Sequence, residues 1–304
     1  MQSRKAMRLE KGGDLLTLGH ILKDLGNYSK AGEFYQRLVN ETTGINSIQK
    51  AAGLTGLGNV AKAQGDYSNA KLYYEQALEL KRSWYRDDLH SDLAVNFNNM
   101  GLVCRHLGQL REAVGYHKHA LAIRKKVIED NQQSGDTAEY RRIYGNVADS
   151  HGNLATVYFE QGQIQLAWEH VRESLSINKL YLTSDDPKIA IDYRLIGLLR
   201  QSEKEYSKAK VAYEKAFAIQ KKVLGRHHVE TAATQCCLGA LLWNNAQPVT
   251  DTRSPLTEAM MIGYRYCFEG MSCFDKFGLP PDHRYRKLAK LVLEQYEQIC
   301  NQSE

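Results

Sequence analysis

The sequence is nearly free of proline: five in 304 residues, and none before Pro187. A proline-free stretch of that length, rich in Ala, Leu, Lys, Glu and Tyr, argues for helix and against a loop-rich or disordered chain. Long apolar runs are also missing, and no window approaches the roughly 18 residues that a membrane-spanning helix needs. The N-terminus, Met1 to Lys5, starts with charge but lacks the apolar stretch of a signal peptide. Six cysteines are too few and too irregularly spaced for a disulfide framework. They all fall in segments that read as helix, as reduced thiols of a cytoplasmic protein would. Three Asn-x-Ser/Thr sequons, at Asn27, Asn40 and Asn301, read as chance matches without a secretory route.

Charge of one sign is scarce as well. The net charge is +5, but residues 1–128 carry 19 Lys/Arg against 12 Asp/Glu, whereas residues 129–304 carry 21 against 23. The asymmetry points to an acidic partner for the N-terminal half. It lacks the dense basic stripe of a nucleic-acid binder, so a protein or peptide partner is expected and nucleic acid is not.

Chemistry-bearing motifs are absent too. Gly53-Leu-Thr-Gly-Leu-Gly58 imitates a phosphate loop but follows no strand and lies within a helical pattern. Cys236 and Cys237 are adjacent, so they diverge by about 100° on a helix. With His227 and His228 in a preceding linker they lack zinc-ligand spacing, and His117 and His119 diverge likewise. No nucleophile–base pair, carboxylate pair, metal set or cofactor motif emerges, and the chain reads as a binding module rather than an enzyme.

What the sequence does contain is a repeat. Six segments carry an apolar residue followed by Gly or Ala, with that second residue at Gly19, Gly58, Gly101, Ala155, Gly197 and Gly239. A small or polar turn follows about seven residues on, then Ala, then often an aromatic. The clearest copy is Leu57-Gly58, Gly65, Tyr67, Ala70, Tyr74, Ala77-Leu78. This pattern closely resembles the tetratricopeptide repeat, in which small residues sit where two antiparallel helices cross. The anchor spacings of 39, 43, 54, 42 and 42 resemble the 42-residue repeats of kinesin light chain and nephrocystin-3-type proteins. So do the linkers Leu224-Gly225-Arg226-His227-His228 and Ser184-Asp185-Asp186-Pro187. Leu18-Gly19-His20 and Leu57-Gly58-Asn59 are similar to the LGN adaptor type.

The resemblance implies an all-α, right-handed solenoid of six helical hairpins. They are expected at 12–45, 51–82, 92–128, 144–182, 189–224 and 231–277, with a capping helix at 282–300. All form one array over residues 1–304. Lys5 to Glu10 look like the end of a second helix, so the sequence reads as starting inside a longer array. The 54-residue spacing places an insertion near Asp130–Asp136, and residues 244–255 read as a loop.

Projected on a helical wheel, the residues one before and three after each anchor are apolar in all but one case, Arg200, and are expected to face the second helix of the same hairpin. The opposite side would line a concave groove. Its candidate residues are Lys23, Asn59, Lys62, Asn98, Asn99, Arg105, Asn153, Phe159, Arg194 and Trp243. Lys23, Lys62 and Arg105 share one position in three successive repeats, which suits carboxylates of an extended peptide. Phe159 and Trp243 occupy the same position later, which suits an apolar side chain. In the kinesin light chain family, Asn residues before the anchor help to hold acidic cargo peptides, and Asn98-Asn99 and Asn153 match that pattern. Arg194-Leu195 and Cys236-Cys237 depart from it. The expected function is a cytoplasmic scaffold for an acidic, partly apolar peptide; the alternative is a structural arm of a larger assembly.

Overall fold

The computed structural model describes residues 15–41, 46–86, 89–130, 137–246, 256–279, 281 and 283–303. All regular structure among them is helical. The chain divides into two compact units, residues 1–163 and 164–304.

The first unit holds α1 (15–24), α2 (Tyr28–Asn40), α3 (Ser47–Ala63), α4 (Tyr67–Tyr85), α5 (Ser91–His106), α6 (Leu110–Asp130) and α7 (Thr137–Glu160). The second holds α8 (Ile164–Tyr181), α9 (Pro187–Ser202), α10 (Tyr206–Val223), α11 (Val229–Asn245), α12 (Glu258–Lys276) and α13 (Arg284–Ser303). Within the units, α3 packs on α4, α5 on α6, α9 on α10 and α11 on α12. The widest repeat spacing is partly taken up by α7, which at 24 residues is longer than α5 at 16. The rest of that expected insertion, most of the loop after Asn245, Lys5–Glu10 and residue 282 lie outside the described residues.

Local sequence explains the helix limits. Asn46 and Gln49 form a reciprocal capping box at the start of α3. Asp66 caps α4, and Asp186 caps α9 with the first proline at the start of the helix, where a missing N–H is harmless. The turns seven residues after the anchors require a left-handed backbone. Gly26, Gly65, Gly108 and Gly162 adopt φ of +74° to +82°, and in the fifth hairpin Lys204 takes the same conformation at +62°.

The anchors make the hairpins possible. Sixteen residues after four of them stands a ring: Tyr35 after Gly19, Tyr74 after Gly58, His117 after Gly101 and Tyr213 after Gly197. Each ring lies flat enough on its glycine that a Cβ there would come within 2.4–2.6 Å. The sixth hairpin uses another solution. Its insertion moves the partner to Gly263, and the two helices meet backbone to backbone, 2.7 Å from a Gly239 Cβ to the Gly263 carbonyl.

The residue before the anchor shares a buried cluster with both neighbouring second helices: Leu57 with Tyr35 and Leu38 of α2 and Ala77 of α4, and Met100 with Tyr74 and Leu78 of α4 and Ala120 and Ile123 of α6. The residue three after the anchor faces its own second helix, as Ala61 does with Ala70 and Tyr74. Leu18, with no described hairpin before it, is 43% exposed.

A second series of contacts joins successive hairpins. At three junctions the residue 23 after an anchor meets the residue five before the next anchor through buried or half-buried polar groups. Lys81 Nζ donates to Asn96 Oδ1 at 2.6 Å, and Arg124 donates to Ser150 Oγ at 2.6 Å. In the second unit Asn178 donates to Asp192 at 2.8 Å. These three junctions use different pairs, whereas at the next one Gln220 and Thr234, at the same two positions, have buried polar atoms with no hydrogen-bond partner among the described residues. Burial lowers the Lys81 pKa, opposed by Asp92, which fits a cation held by an amide and backbone rather than by an adjacent carboxylate.

Candidate functional site

The first helices α1, α3, α5 and α7 of the first unit carry eight of the ten candidate residues, and contacts run between them from helix to helix. Lys23, at the end of α1, is half-buried and pairs with its neighbour Asp24 at 3.0 Å. Lys62 of α3 comes next. Burial, and then the Lys23 charge, lower its pKa, so the two ammonium groups feel one another. Among the described residues its one hydrogen bond is to Asn99 Oδ1 of α5, a long one at 3.4 Å. Beside Asn99, Asn98 Oδ1 accepts from Asn153 Nδ2 of α7 at 2.9 Å. Further along the same two helices, Arg105 binds Glu160 at 2.9 Å, next to the half-buried Phe159.

Asn59 lies on this side but has a packing task. Its Oδ1 accepts from the Tyr74 hydroxyl at 2.8 Å, which satisfies the ring that lies on Gly58. In the second unit Gln201 serves Tyr213 in the same way at 2.9 Å.

Arg194 and Trp243 are corrected by the structure. Arg194 is buried, 2.7 Å from a Glu230 carboxylate oxygen, with its guanidinium 5.2 Å from the Tyr285 ring centre. Although burial opposes it, Tyr285 and Glu230 hold the guanidinium in its charged form. Trp243 has no exposed surface; its Nε1 donates to Gln295 Oε1 at 2.6 Å and its ring meets Tyr296 edge-on. The cause is α13, which brings Tyr285, Gln295 and Tyr296 against α9 and α11 and covers both side chains. Their position in the repeat would leave them open only if no following helix came so close.

Sequence reasoning missed Glu160. The signal was available: Arg105 stands four after its anchor and Glu160 five after the next, so adjacent rows of neighbouring helices carried opposite charges. Among the described residues no group of three His, Cys, Asp or Glu side chains is placed to hold a metal ion. No helix among the described residues is long and apolar enough to cross a membrane.

A family model described as tetratricopeptide repeat matches residues 14–83 and 146–222, and a second model of the same description matches 97–133. Among solved structures, the chain is similar to NprR in complex with its cognate peptide NprX, with a TM-score of 0.64 at 16% identity over 95% of this chain and 73% of that one. It is similar to BtubC from P. vanneervenii, with a TM-score of 0.53 at 17% identity over 85% and 92%. A putative kinesin light chain from Podosopora anserina with nearly identical repeats gives 0.53 at 20% identity over 69% and 95%. No curated protein sequence matches the chain.

Proposed function

Since the chain belongs to the tetratricopeptide-repeat superfamily, we propose that it is a non-catalytic protein-interaction scaffold whose first-helix face, in the first unit, binds an extended acidic and partly apolar peptide segment. Carboxylates of the peptide lie against Lys23 and Lys62, its backbone against the Asn98, Asn99 and Asn153 amides, and an apolar side chain near Phe159. The buried free thiols fit a reducing, cytoplasmic setting. The similarity to NprR, solved with a bound peptide, supports a peptide as the ligand class.

The observation that carries this reading is the pair of ammonium groups. Lys62 is half-buried beside another cation, with one long hydrogen bond to a neutral amide. A ligand carboxylate would relieve both the repulsion and the incomplete solvation. From α1 to α7 there are three helix spacings of about 10 Å each, a span of about nine extended residues.

The test uses labelled peptides of about nine residues, with Glu in one half and Leu and Ser in the other, made in both directions. One direction should bind wild type, more weakly as salt rises. The double variant Lys23→Glu/Lys62→Glu should bind it at least about tenfold more weakly, equivalent to about 1.4 kcal/mol, with unchanged helicity and melting. Equal binding by the double variant would remove these lysines from the site and favour the structural-arm reading.

A further inference from the structure

We infer that Glu160 sets the charge pattern of the ligand, admitting acidic side chains opposite α1 and α3 and rejecting them opposite α5 and α7. This rests on the peptide-binding reading above and specifies it.

Lys23, Lys62 and Arg105 stand at one repeat position, and by sequence alone they form a uniform cationic row. The structure separates them. Among the described residues Lys62 has no carboxylate partner and Lys23 has only Asp24, an exposed neighbour in sequence. Arg105 instead binds a carboxylate from the next repeat, and the two side chains are only 20% and 24% exposed. Its other terminal nitrogen lies 3.4 Å from His106 Nε2, so the guanidinium is engaged on two sides. A ligand carboxylate arriving at Arg105 would meet Glu160 already there. It would have to displace Glu160, leaving that carboxylate partly covered and without its Arg105 partner, or lie against it as a like charge. Phe159, the residue before Glu160, offers apolar surface at the same end of the face. The face is thus acid-accepting at α1 and α3, and neutral to acid-rejecting at α5 and α7. A peptide acidic at one end and apolar at the other fits it, whereas an acidic stretch along its whole length does not.

An inter-repeat ion pair could also serve stability alone, so the experiment must read selectivity. Two labelled probes are compared on the full chain: the half-acidic peptide in its binding direction, and one of equal length with Glu throughout. Wild type should prefer the half-acidic probe by about tenfold. Glu160→Gln should bind the all-acidic probe more tightly and bring the ratio near unity, whereas Glu160→Asp, which keeps the charge, should retain the preference. Melting curves of both variants show whether the fold is intact. An unchanged ratio in Glu160→Gln, or equal binding of both probes by wild type, would overturn the role of Glu160 while leaving the lysine site standing. Failure of wild type to bind either probe would overturn the peptide-binding reading, and this inference with it.

Discussion

Trp243→Ala is expected to unfold the second unit at markedly lower temperature or denaturant concentration, with a loss of about 3–5 kcal/mol. Three contributions act together. The ring is fully buried among Met260, Cys267, Phe274 and Val292, so its removal leaves a cavity that rigid helices fill only in part. Loss of the Nε1 donor also leaves Gln295 Oε1 without its 2.6 Å partner. Finally, the edge-on contact with Tyr296 disappears, and with it part of what holds α13 on α11. Trp243→Phe separates these contributions: it keeps most of the apolar volume and should lose about 1 kcal/mol, the share of the hydrogen bond. Urea unfolding followed by circular dichroism measures both variants. A Trp243→Ala protein that melts like wild type but loses peptide binding would restore Trp243 to the ligand surface.

The repeat was readable because its chemistry is local. A glycine, a ring sixteen residues later and a turn seven residues after the glycine recur together, and each has a steric reason to be where it is. The site was readable only where neighbouring first helices face one another in regular succession. Lys23, Lys62 and Asn99 come together because one position in a hairpin abuts a fixed position in the next. Arg194 and Trp243 failed for the complementary reason. Their environment is decided by α13, whose approach depends on an insertion that breaks the period and replaces a glycine–ring contact with the Gly239–Gly263 approach. The polar junctions were hidden for another reason. Lys81 and Arg124 look like ordinary helix-surface cations in sequence, and only the next hairpin turns them into a buried and a half-buried donor.

The other large effect lies in the third hairpin, where stability should depend on pH through one residue. His117 takes the place that Tyr35, Tyr74 and Tyr213 fill in other hairpins, against Gly101. It is fully buried and neither ring nitrogen has a hydrogen-bond partner. Burial, then the Arg105 and Arg124 charges, push its pKa down to about 3. In the unfolded chain an ordinary histidine titrates near about 6.5. Between those values the unfolded state holds a proton that the folded state excludes, so stability is full above the unfolded pKa and falls with pH. The slope is about 1.4 kcal/mol per pH unit, or about 2 kcal/mol between pH 6.5 and pH 5. The Glu230 carboxyl, held below its ordinary pKa by Arg194 against the opposing effect of burial, loses its contribution only at lower pH, outside that window. His117→Phe should fill the slot without titrating. His117→Tyr is a poorer choice, because the acceptors that serve the Tyr74 and Tyr213 hydroxyls, Asn59 and Gln201, are replaced here by Leu102 and Arg105 at the matching positions. Urea midpoints from pH 7 to pH 5 should therefore fall in wild type more steeply than in His117→Phe. Parallel slopes in the two proteins would mean that His117 is protonated in the folded state, and that its ring is solvated rather than sealed beneath Gly101.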